Sequence, residues 1–154
     1  MTIRNSSKAI IIQDGKLLTI KFSRYGNTYY NLLGGGQENG ETLHQALIRE
    51  CKEEIGAEVE IGELIFVREY IGANHELSMR HTGFQQTEFL FSCKLKEPKS
   101  ISEVGYNPDK GQVGLEWIKV EDLLNYSFYP MELRETLINY SNGIKTRVYV
   151  GDIN

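Results

Sequence analysis

The chain has 154 residues, of which 40% are hydrophobic and 25% are charged. This length suits one hydrophobic core and is short for two, so we expect residues 1–154 to form a single domain. Aspartate and glutamate (21) outnumber lysine and arginine (17), and the formal net charge of −4 argues against binding to duplex nucleic acid. The polar start and the short apolar runs predict neither a secretory signal nor a membrane span, and we expect a cytoplasmic protein.

The first third of the chain predicts a β-hairpin followed by a strand. Lys8–Gln13 and Lys16–Phe22 are strand-like runs, and Asp14-Gly15 between them supplies the positive φ angles of a type I′ turn. Tyr29–Leu33 predicts a further strand that ends at the glycines 34–36.

A helix is predicted from Thr42, where the hydrophobic period changes from two to 3.6. Thr42 and Gln45 match the capping box, and Gly56 matches the left-handed residue that commonly follows a helix. The helix would have about four turns. Its core-facing residues would be Leu43, Leu47 and Cys51.

The second half of the chain predicts mostly strands, with two helices near the end. The predicted strands are Glu58–Tyr70, Thr87–Leu95, Leu115–Val120 and Lys145–Val150, and the predicted helices are Glu121–Tyr126 and Met131–Asn142. Two polar stretches, 73–86 and 96–112, separate the strands. This order, without an internal repeat or a linker, predicts an α/β or α+β layer structure.

Three glutamates fall within or beside the buried face of the predicted helix. Glu50 and Glu54 are four residues apart, and Glu53 lies one step round. Like charges at such spacing repel, and more strongly where water is excluded, so a cation is expected among them. A hard divalent cation bound by carboxylate oxygens would satisfy them. The alternative is a solvated acidic helix face on which Arg49 pairs with Glu53.

The segment Gly35–Ala57 resembles the Nudix box, G-x5-E-x7-R-E-U-x-E-E-x-G-U, where U is aliphatic. The fixed positions are filled by Gly35, Glu41, Arg49, Glu50, Glu53, Glu54 and Gly56. The two aliphatic positions U hold Cys51 and Ala57. Upstream, residues 30–35 look like the family's aromatic-x-apolar-Pro-Gly-Gly sequence, with Leu33 in place of proline.

This resemblance implies a Nudix-type α/β/α sandwich with a mixed β-sheet and a loop-helix-loop metal site. Glu50, Glu53 and Glu54 would hold one or more Mg²⁺ ions, for which Mn²⁺ could substitute, with the Gly35 carbonyl as a further ligand. Arg49 would orient these glutamates. Glu41 would brace the loop, and Glu41 and Gly56 would be structural rather than chemical.

The activity implied by the resemblance is Mg²⁺-dependent pyrophosphohydrolysis. The enzyme would cleave a phosphoanhydride bond of a nucleoside diphosphate linked to a moiety X, as in nucleoside triphosphates, nucleotide sugars or ADP-ribose, by attack of water on phosphorus. The alternative is a non-catalytic Nudix-fold module that senses a nucleotide, although such modules usually have degenerate boxes. Family members are commonly dimers, so the resemblance is compatible with a homodimer.

Residues outside the box supply further candidates. The general base is expected to be a box glutamate or Glu88, for which the alternative is a solvent-facing strand residue. Glu103 and Glu116 are further candidates, and the alternative for Glu116 is a structural role. Candidate phosphate contacts are Arg24, Arg68 and Arg80, and the alternative is that they are solvated charges. Candidate stacking rings are Tyr29, Tyr30, Tyr70 and Phe84. We expect the loop 73–86, which carries His75 and His81, to set substrate specificity.

Overall fold

The computed structural model describes residues 2–76, 82–97 and 110–154. In chain order, the strands within these residues are β1 (Arg4–Ile10), β2 (Ile12–Gln13), β3 (Lys16–Arg24), β4 (Asn27–Asn31), β5 (Leu33–Gly36), β6 (Val59–Ile71), β7 (Gln85–Leu95), β8 (Gln112–Lys119) and β9 (Tyr149–Asp152). The α-helices are α1 (Leu43–Ile55) and α2 (Arg134–Ser141), and short 3₁₀ turns lie at Gly72–Asn74, Val120–Asn125 and Met131–Leu133.

The strands form two sheets. The larger sheet is mixed and has the order β5-β1-β7-β6-β9, in which β1 runs parallel to β7 and β9 runs parallel to β6. The smaller sheet is antiparallel: β3 pairs with β2, β4 and β8. This combination of a mixed sheet with few helices confirms the predicted α+β class.

Alternation along the strands divides the buried residues between two hydrophobic clusters. In β1 and β3, neighbouring residues such as Leu17 and Leu18 belong to different clusters because successive side chains point to opposite faces of a strand. One cluster includes Leu47 and Cys51 of α1, and the other includes Leu137 of α2. Each helix therefore covers a separate apolar layer.

The first predicted strand is divided between the two sheets. Residues 4–10 pair with β5 and β7 in the larger sheet, whereas Ile12 and Gln13 pair with β3 in the smaller one. The predicted turn is confirmed, with φ angles of 50° at Asp14 and 73° at Gly15. A second hairpin was not predicted: β3 and β4 pair on either side of Tyr25 and Gly26.

The C-terminal elements differ most from the sequence prediction. The strand expected at Lys145–Val150 is instead β9, because the parallel pairing with β6 begins only at Tyr149 and extends to Asp152. The expected helix Glu121–Tyr126 is a 3₁₀ turn, and the expected helix Met131–Asn142 begins as one before α2. No helix in the described part of the chain has the length and hydropathy needed to cross a bilayer.

Candidate active site

Helix α1 begins and ends where its sequence predicts. The Thr42 side chain accepts a hydrogen bond from the Gln45 N–H, and the Gln45 side chain accepts one from the Thr42 N–H at 2.8 Å, which confirms the capping box. Gly56 adopts a φ of 63° and its N–H donates to the Lys52 carbonyl. Between these two ends, α1 buries five of its residues, and it packs against β1 and the glycine strand β5. One of the five buried side chains is a carboxylate.

That buried carboxylate belongs to Glu54, whose exposed fraction is only 2%. Its Oε1 accepts a hydrogen bond from the Gly34 N–H at 2.7 Å, which joins the last turn of α1 to β5. Gly34 has a φ of 126° and leaves no room for a Cβ beside the Ser7 carbonyl. The position therefore requires glycine both for its backbone angle and for its close approach to β1.

The Glu50 carboxylate lies against the next glycine. A Cβ at Gly35 would stand 2.5 Å from the Cδ of Glu50, so the absence of a side chain there makes space for the carboxylate. On the same strand, the Gly35 carbonyl accepts a bond from the Ser6 hydroxyl and the Gly34 carbonyl accepts one from Lys8 Nζ, both at 3.1 Å. Side chains of β1 and α1 thus fix the glycine backbone from both sides.

Arg49 is the cation that lies among these carboxylates. Its Nε and Nη2 donate to the two oxygens of Glu41 at 3.1 and 2.7 Å, and Nη1 lies 3.0 Å from Glu50 and 3.4 Å from Glu53. Nη2 also donates to the Gly36 carbonyl at 2.9 Å. The hydrogen bonds with Glu41 raise the pKa of Arg49 and lower the pKa of Glu41.

The helix face is not the solvated acidic face of the alternative interpretation. The Arg49–Glu53 pair of that alternative is present, but the Glu50 side chain is only 14% exposed. Glu54 is still more deeply buried. The charges are therefore held close together where water screens them poorly, so their mutual repulsion is larger than on an open helix surface.

The donor set has the chemistry of a site for a hard divalent cation. Glu50, Glu53, Glu54 and the Gly35 carbonyl offer oxygen ligands, which Mg²⁺ and Mn²⁺ prefer. Among the residues that the structure describes, no three carboxylate, imidazole or thiol groups are already arranged around a position for an ion. The carboxylates are instead engaged by Arg49 and by the Gly34 N–H. The residues fit the cation in their ligand chemistry and in the space that Gly35 leaves for Glu50.

A cleft of about 990 Å³ opens beside β5 and is large enough for a nucleotide. Gly34, Gly35 and Glu50 line part of it. Its cationic lining residues are Arg4, Lys8, Arg24 and Arg68, and its aromatic ones are Tyr25, Tyr29, Tyr70, Phe84 and Tyr129. The lining thus combines positive charge, which suits phosphates, with rings that suit a planar group.

Two of the three predicted phosphate contacts line this cleft. Arg24 is exposed and its Nη2 donates to the Lys110 carbonyl at 2.7 Å. Arg68 is only 7% exposed, so its interpretation as a solvated charge is wrong. Arg80 lies outside the described residues, as do His81 and Glu103.

Glu88 also lines the cleft, but it is buried rather than solvent-facing. One carboxylate oxygen accepts a hydrogen bond from Arg68 Nε, and the other accepts one from the Gln86 side chain at 2.8 Å. Burial alone would raise the pKa of Glu88, yet the charges of Arg68 and Lys8 outweigh it and hold the pKa below its ordinary value. The carboxylate is therefore ionised at neutral pH, and its role as a base stays a prediction.

The sequence did not indicate that Asp152 lies next to the cleft wall. Its carboxylate accepts hydrogen bonds from the Ile71 N–H at 2.9 Å and the Asn74 side chain at 2.8 Å, and it lies 2.6 Å from His75 Nε2. His75 stacks on Tyr70, a lining residue, with ring centroids 5.1 Å apart. Only the pairing of β9 with β6 brings these residues together, so no local pattern could have found them.

Lys8 and Arg4 were likewise not selected from the sequence. Both belong to β1, and both line the cleft because β1 lies next to the glycine strand in the larger sheet. For Lys8 the sequence does contain an indication of a special position, because this charged residue directly precedes an apolar run in a predicted strand. Tyr30, by contrast, is one of the candidate stacking rings but packs edge-on against Tyr126, with ring centroids 5.4 Å apart.

Comparisons with known proteins agree with this geometry. A family model described as NUDIX domain matches residues 3–137. Similar solved structures include a NUDIX hydrolase from Nitrosomonas europaea, with 21% identity, a TM-score of 0.71 and coverage of 96% of this chain and 94% of that chain. An ADP-ribose pyrophosphatase from Streptococcus suis has 18% identity, a TM-score of 0.63 and coverage of 98% of both chains. A search of curated proteins found no match.

Proposed function

The chain belongs to the NUDIX domain family, and we propose that it is a Mg²⁺-dependent pyrophosphohydrolase acting on a nucleoside diphosphate linked to another moiety. The observation that carries this proposal is the position of the Glu50 carboxylate, packed against Gly35 in the wall of a cleft that also presents four cationic side chains. Nucleoside triphosphates, nucleotide sugars and ADP-ribose are the candidate substrates. We further propose that residues 1–154 act as one domain, in the cytoplasm.

In this proposal Glu50, Glu53, Glu54 and the Gly35 carbonyl hold the divalent cation. When bound, the cation would neutralise charge on the diphosphate and lower the pKa of a water molecule. Arg49 keeps Glu50 and Glu53 oriented through its ion pairs. Glu41 supports them indirectly, because it binds the same guanidinium through both carboxylate oxygens.

The other cleft residues bind and orient the substrate. Arg24, Arg68 and Lys8 offer positive charge to the phosphates from three different strands, and Arg80 remains a further candidate. Fixing the diphosphate in one orientation lowers the barrier for an in-line attack, because catalysis of phosphoryl transfer is mostly positioning and charge stabilisation. Tyr29 and Tyr70 provide rings for the nucleoside side of the substrate.

The proton from the attacking water goes to a carboxylate. Glu53 and Glu54 are the candidates within the box, and Glu88 is the candidate outside it. Glu88 is ionised, as a base must be, but both of its oxygens already accept hydrogen bonds. A box glutamate would instead take the proton from within the group of carboxylates that would hold the cation.

The first experiment is a panel of nucleoside diphosphate derivatives assayed for monophosphate release with Mg²⁺ or Mn²⁺. The wild type is compared with Glu54→Gln and with Glu60→Gln, which removes an exposed carboxylate from β6 and serves as the matched control. Turnover of one substrate class by the wild type and the control, but not by Glu54→Gln, supports the proposal. Nucleotide-induced thermal stabilisation without turnover of any substrate would favour the sensing module instead.

A further inference from the structure

The turn between β3 and β4 has the same backbone form as the turn between β2 and β3. Its central residues, Tyr25 and Gly26, have φ angles of 51° and 79°, and those of the earlier turn, Asp14 and Gly15, have φ angles of 50° and 73°. Both are two-residue hairpin turns with positive φ at both centres, which is the arrangement that type I′ turns require. The chain therefore contains two turns of the same form that differ in the residue at the first central position.

Asp14 suits that position and Tyr25 does not. Asparagine, aspartate and glycine are preferred there because they tolerate the left-handed region, whereas a bulky side chain at positive φ is strained. Such strain persists where the surrounding structure imposes it, and it commonly marks residues that contact a ligand. The two turns differ in this respect although their backbones are alike.

Packing does not explain the tyrosine. Tyr25 is 90% exposed, so its ring contributes little hydrophobic stabilisation to the fold. The turn itself is held by other residues: Arg24 donates to the Lys110 carbonyl at 2.7 Å, and the Ser23 N–H donates to the Gly111 carbonyl at 3.0 Å. Tyr25 is thus an exposed ring on an anchored turn.

Tyr25 is one of the residues that line the cleft, where a bound ligand would be close to it. Two other lining rings already have a stacking partner within the protein. Tyr29 is stacked on Phe22 with an interplanar angle of 6°, and Tyr70 on His75 with an angle of 13°. With 90% of its surface exposed, the Tyr25 ring is more open to a planar partner than either of them.

We propose that Tyr25 is a specificity-determining contact that stacks on the planar base of the nucleotide at the rim of the cleft. This inference rests on the proposed function, because it assumes that the ligand of this cleft carries a base. Stacking on an aromatic side chain depends on the π-face of the base and not on its hydrogen-bonding edge. The contact therefore selects nucleotides over compounds that offer a diphosphate alone.

The test compares ligands with and without a base, using calorimetric titration of ADP, UDP and inorganic pyrophosphate in Mg²⁺ buffer. Tyr25→Asn is expected to weaken ADP and UDP binding by about tenfold and to leave pyrophosphate binding within about twofold. Tyr25→Phe keeps the ring and should bind like the wild type. Asp14→Asn in the matched turn should leave the binding of all three ligands unchanged.

Thermal unfolding separates this role from a structural one. Because asparagine tolerates positive φ, Tyr25→Asn should melt at or above the wild-type temperature while binding base-containing ligands more weakly. Equal weakening for pyrophosphate and ADP, or no weakening for either, overturns the inference. Failure of the wild type to bind ADP and UDP also overturns it. Nucleotide binding that depends on Tyr25 in a protein without turnover would overturn the proposed hydrolase alone.

Discussion

Glu54 and Gly34 are joined by a buried hydrogen bond of 2.7 Å between the carboxylate of the one and the backbone N–H of the other. This bond ties α1 to the glycine strand, so Glu54 supports the local fold in addition to its proposed role as a metal ligand. A substitution at this position therefore tests two properties, which a pair of variants can separate.

Glu54→Gln and Glu54→Ala are expected to differ in stability but not in activity. Glutamine keeps an oxygen that accepts from the Gly34 N–H, whereas alanine leaves that buried donor unsatisfied at a cost of about 1–3 kcal/mol. Both variants, and Glu53→Gln, should lower kcat at least about 100-fold because a charged ligand is lost. Urea unfolding and steady-state kinetics measure the two effects. Wild-type turnover in Glu53→Gln and Glu54→Gln would remove the box from the mechanism.

Gly35→Ala is expected to lower activity with little change in the fold. The added Cβ would displace the Glu50 carboxylate, which is the movable end of a side chain, and Gly35 does not have a positive φ. The apparent Mg²⁺ affinity, measured from the metal dependence of the rate, should fall about tenfold or more. The matched control is Gly36→Ala, whose Cβ would meet the Arg4 side chain instead. An equal loss of Mg²⁺ affinity in both variants would contradict the assignment of Glu50.

Arg49→Ala should make stability depend more strongly on the divalent cation than it does in the wild type. Without the guanidinium, Glu41, Glu50 and Glu53 lose their common partner, and their repulsion destabilises the metal-free protein. A bound cation offsets that repulsion, so the rise in Tm on adding Mg²⁺ should be larger than for the wild type. The kcat should also fall, since the glutamates lose their orientation. An unchanged rate would show that this orientation does not matter.

The Arg68–Glu88 pair is expected to make stability depend on pH below neutrality. The pKa of Glu88 is lower in the folded protein than its ordinary value of 4.5, so its contribution is present above about 4.5 and is lost as the pH falls through the lowered value. At pH 7, Glu88→Gln should cost about 3–5 kcal/mol by leaving the buried charge of Arg68 without its counter-charge.

Urea unfolding of the wild type and Glu88→Gln between pH 7 and pH 3 measures this effect, and the difference between them should shrink as the pH falls. The double variant Arg68→Met/Glu88→Leu removes both charges and should recover much of the stability. If the double variant also retains kcat, Glu88 is not the general base. A stability difference that stays constant over this range would contradict the lowered pKa.

His75→Phe should show whether the Asp152 contacts shape the cleft. Phenylalanine can keep the stack on Tyr70 but not the contact with the Asp152 carboxylate. Burial would raise the pKa of Asp152, but its hydrogen bonds with Asn74 and His75 hold this pKa below the ordinary value of 3.8. The contribution of the ionised Asp152 carboxylate to stability is therefore lost only as the pH falls through the lowered pKa. Asp152→Asn should raise KM more than it changes kcat, and His75→Phe should resemble it. An unchanged KM in both would exclude a positioning role.

The contacts of the site that are local in sequence were predictable, whereas the contacts that depend on strand register were not, even where the residues themselves, such as Arg68 and Glu88, were candidates. The capping box, the ending of α1 at Gly56 and the Asp14-Gly15 turn follow from residues that contact each other within a few positions. Arg68 and Glu88 face each other because β6 and β7 pair in one register, which includes irregularities near Leu64. A one-residue shift would have put either side chain on the other face of the sheet.

The glycine strand β5 is an edge strand of the larger sheet, and the unpaired side of such a strand can recruit a strand from another molecule. Two backbone groups of β5 are instead bonded by side chains of α1: the Gly34 N–H by Glu54 and the Gly36 carbonyl by Arg49. The helix thus occupies positions that a foreign strand would need. The same side chains that arrange the acidic cluster thereby protect this edge from intermolecular pairing and aggregation.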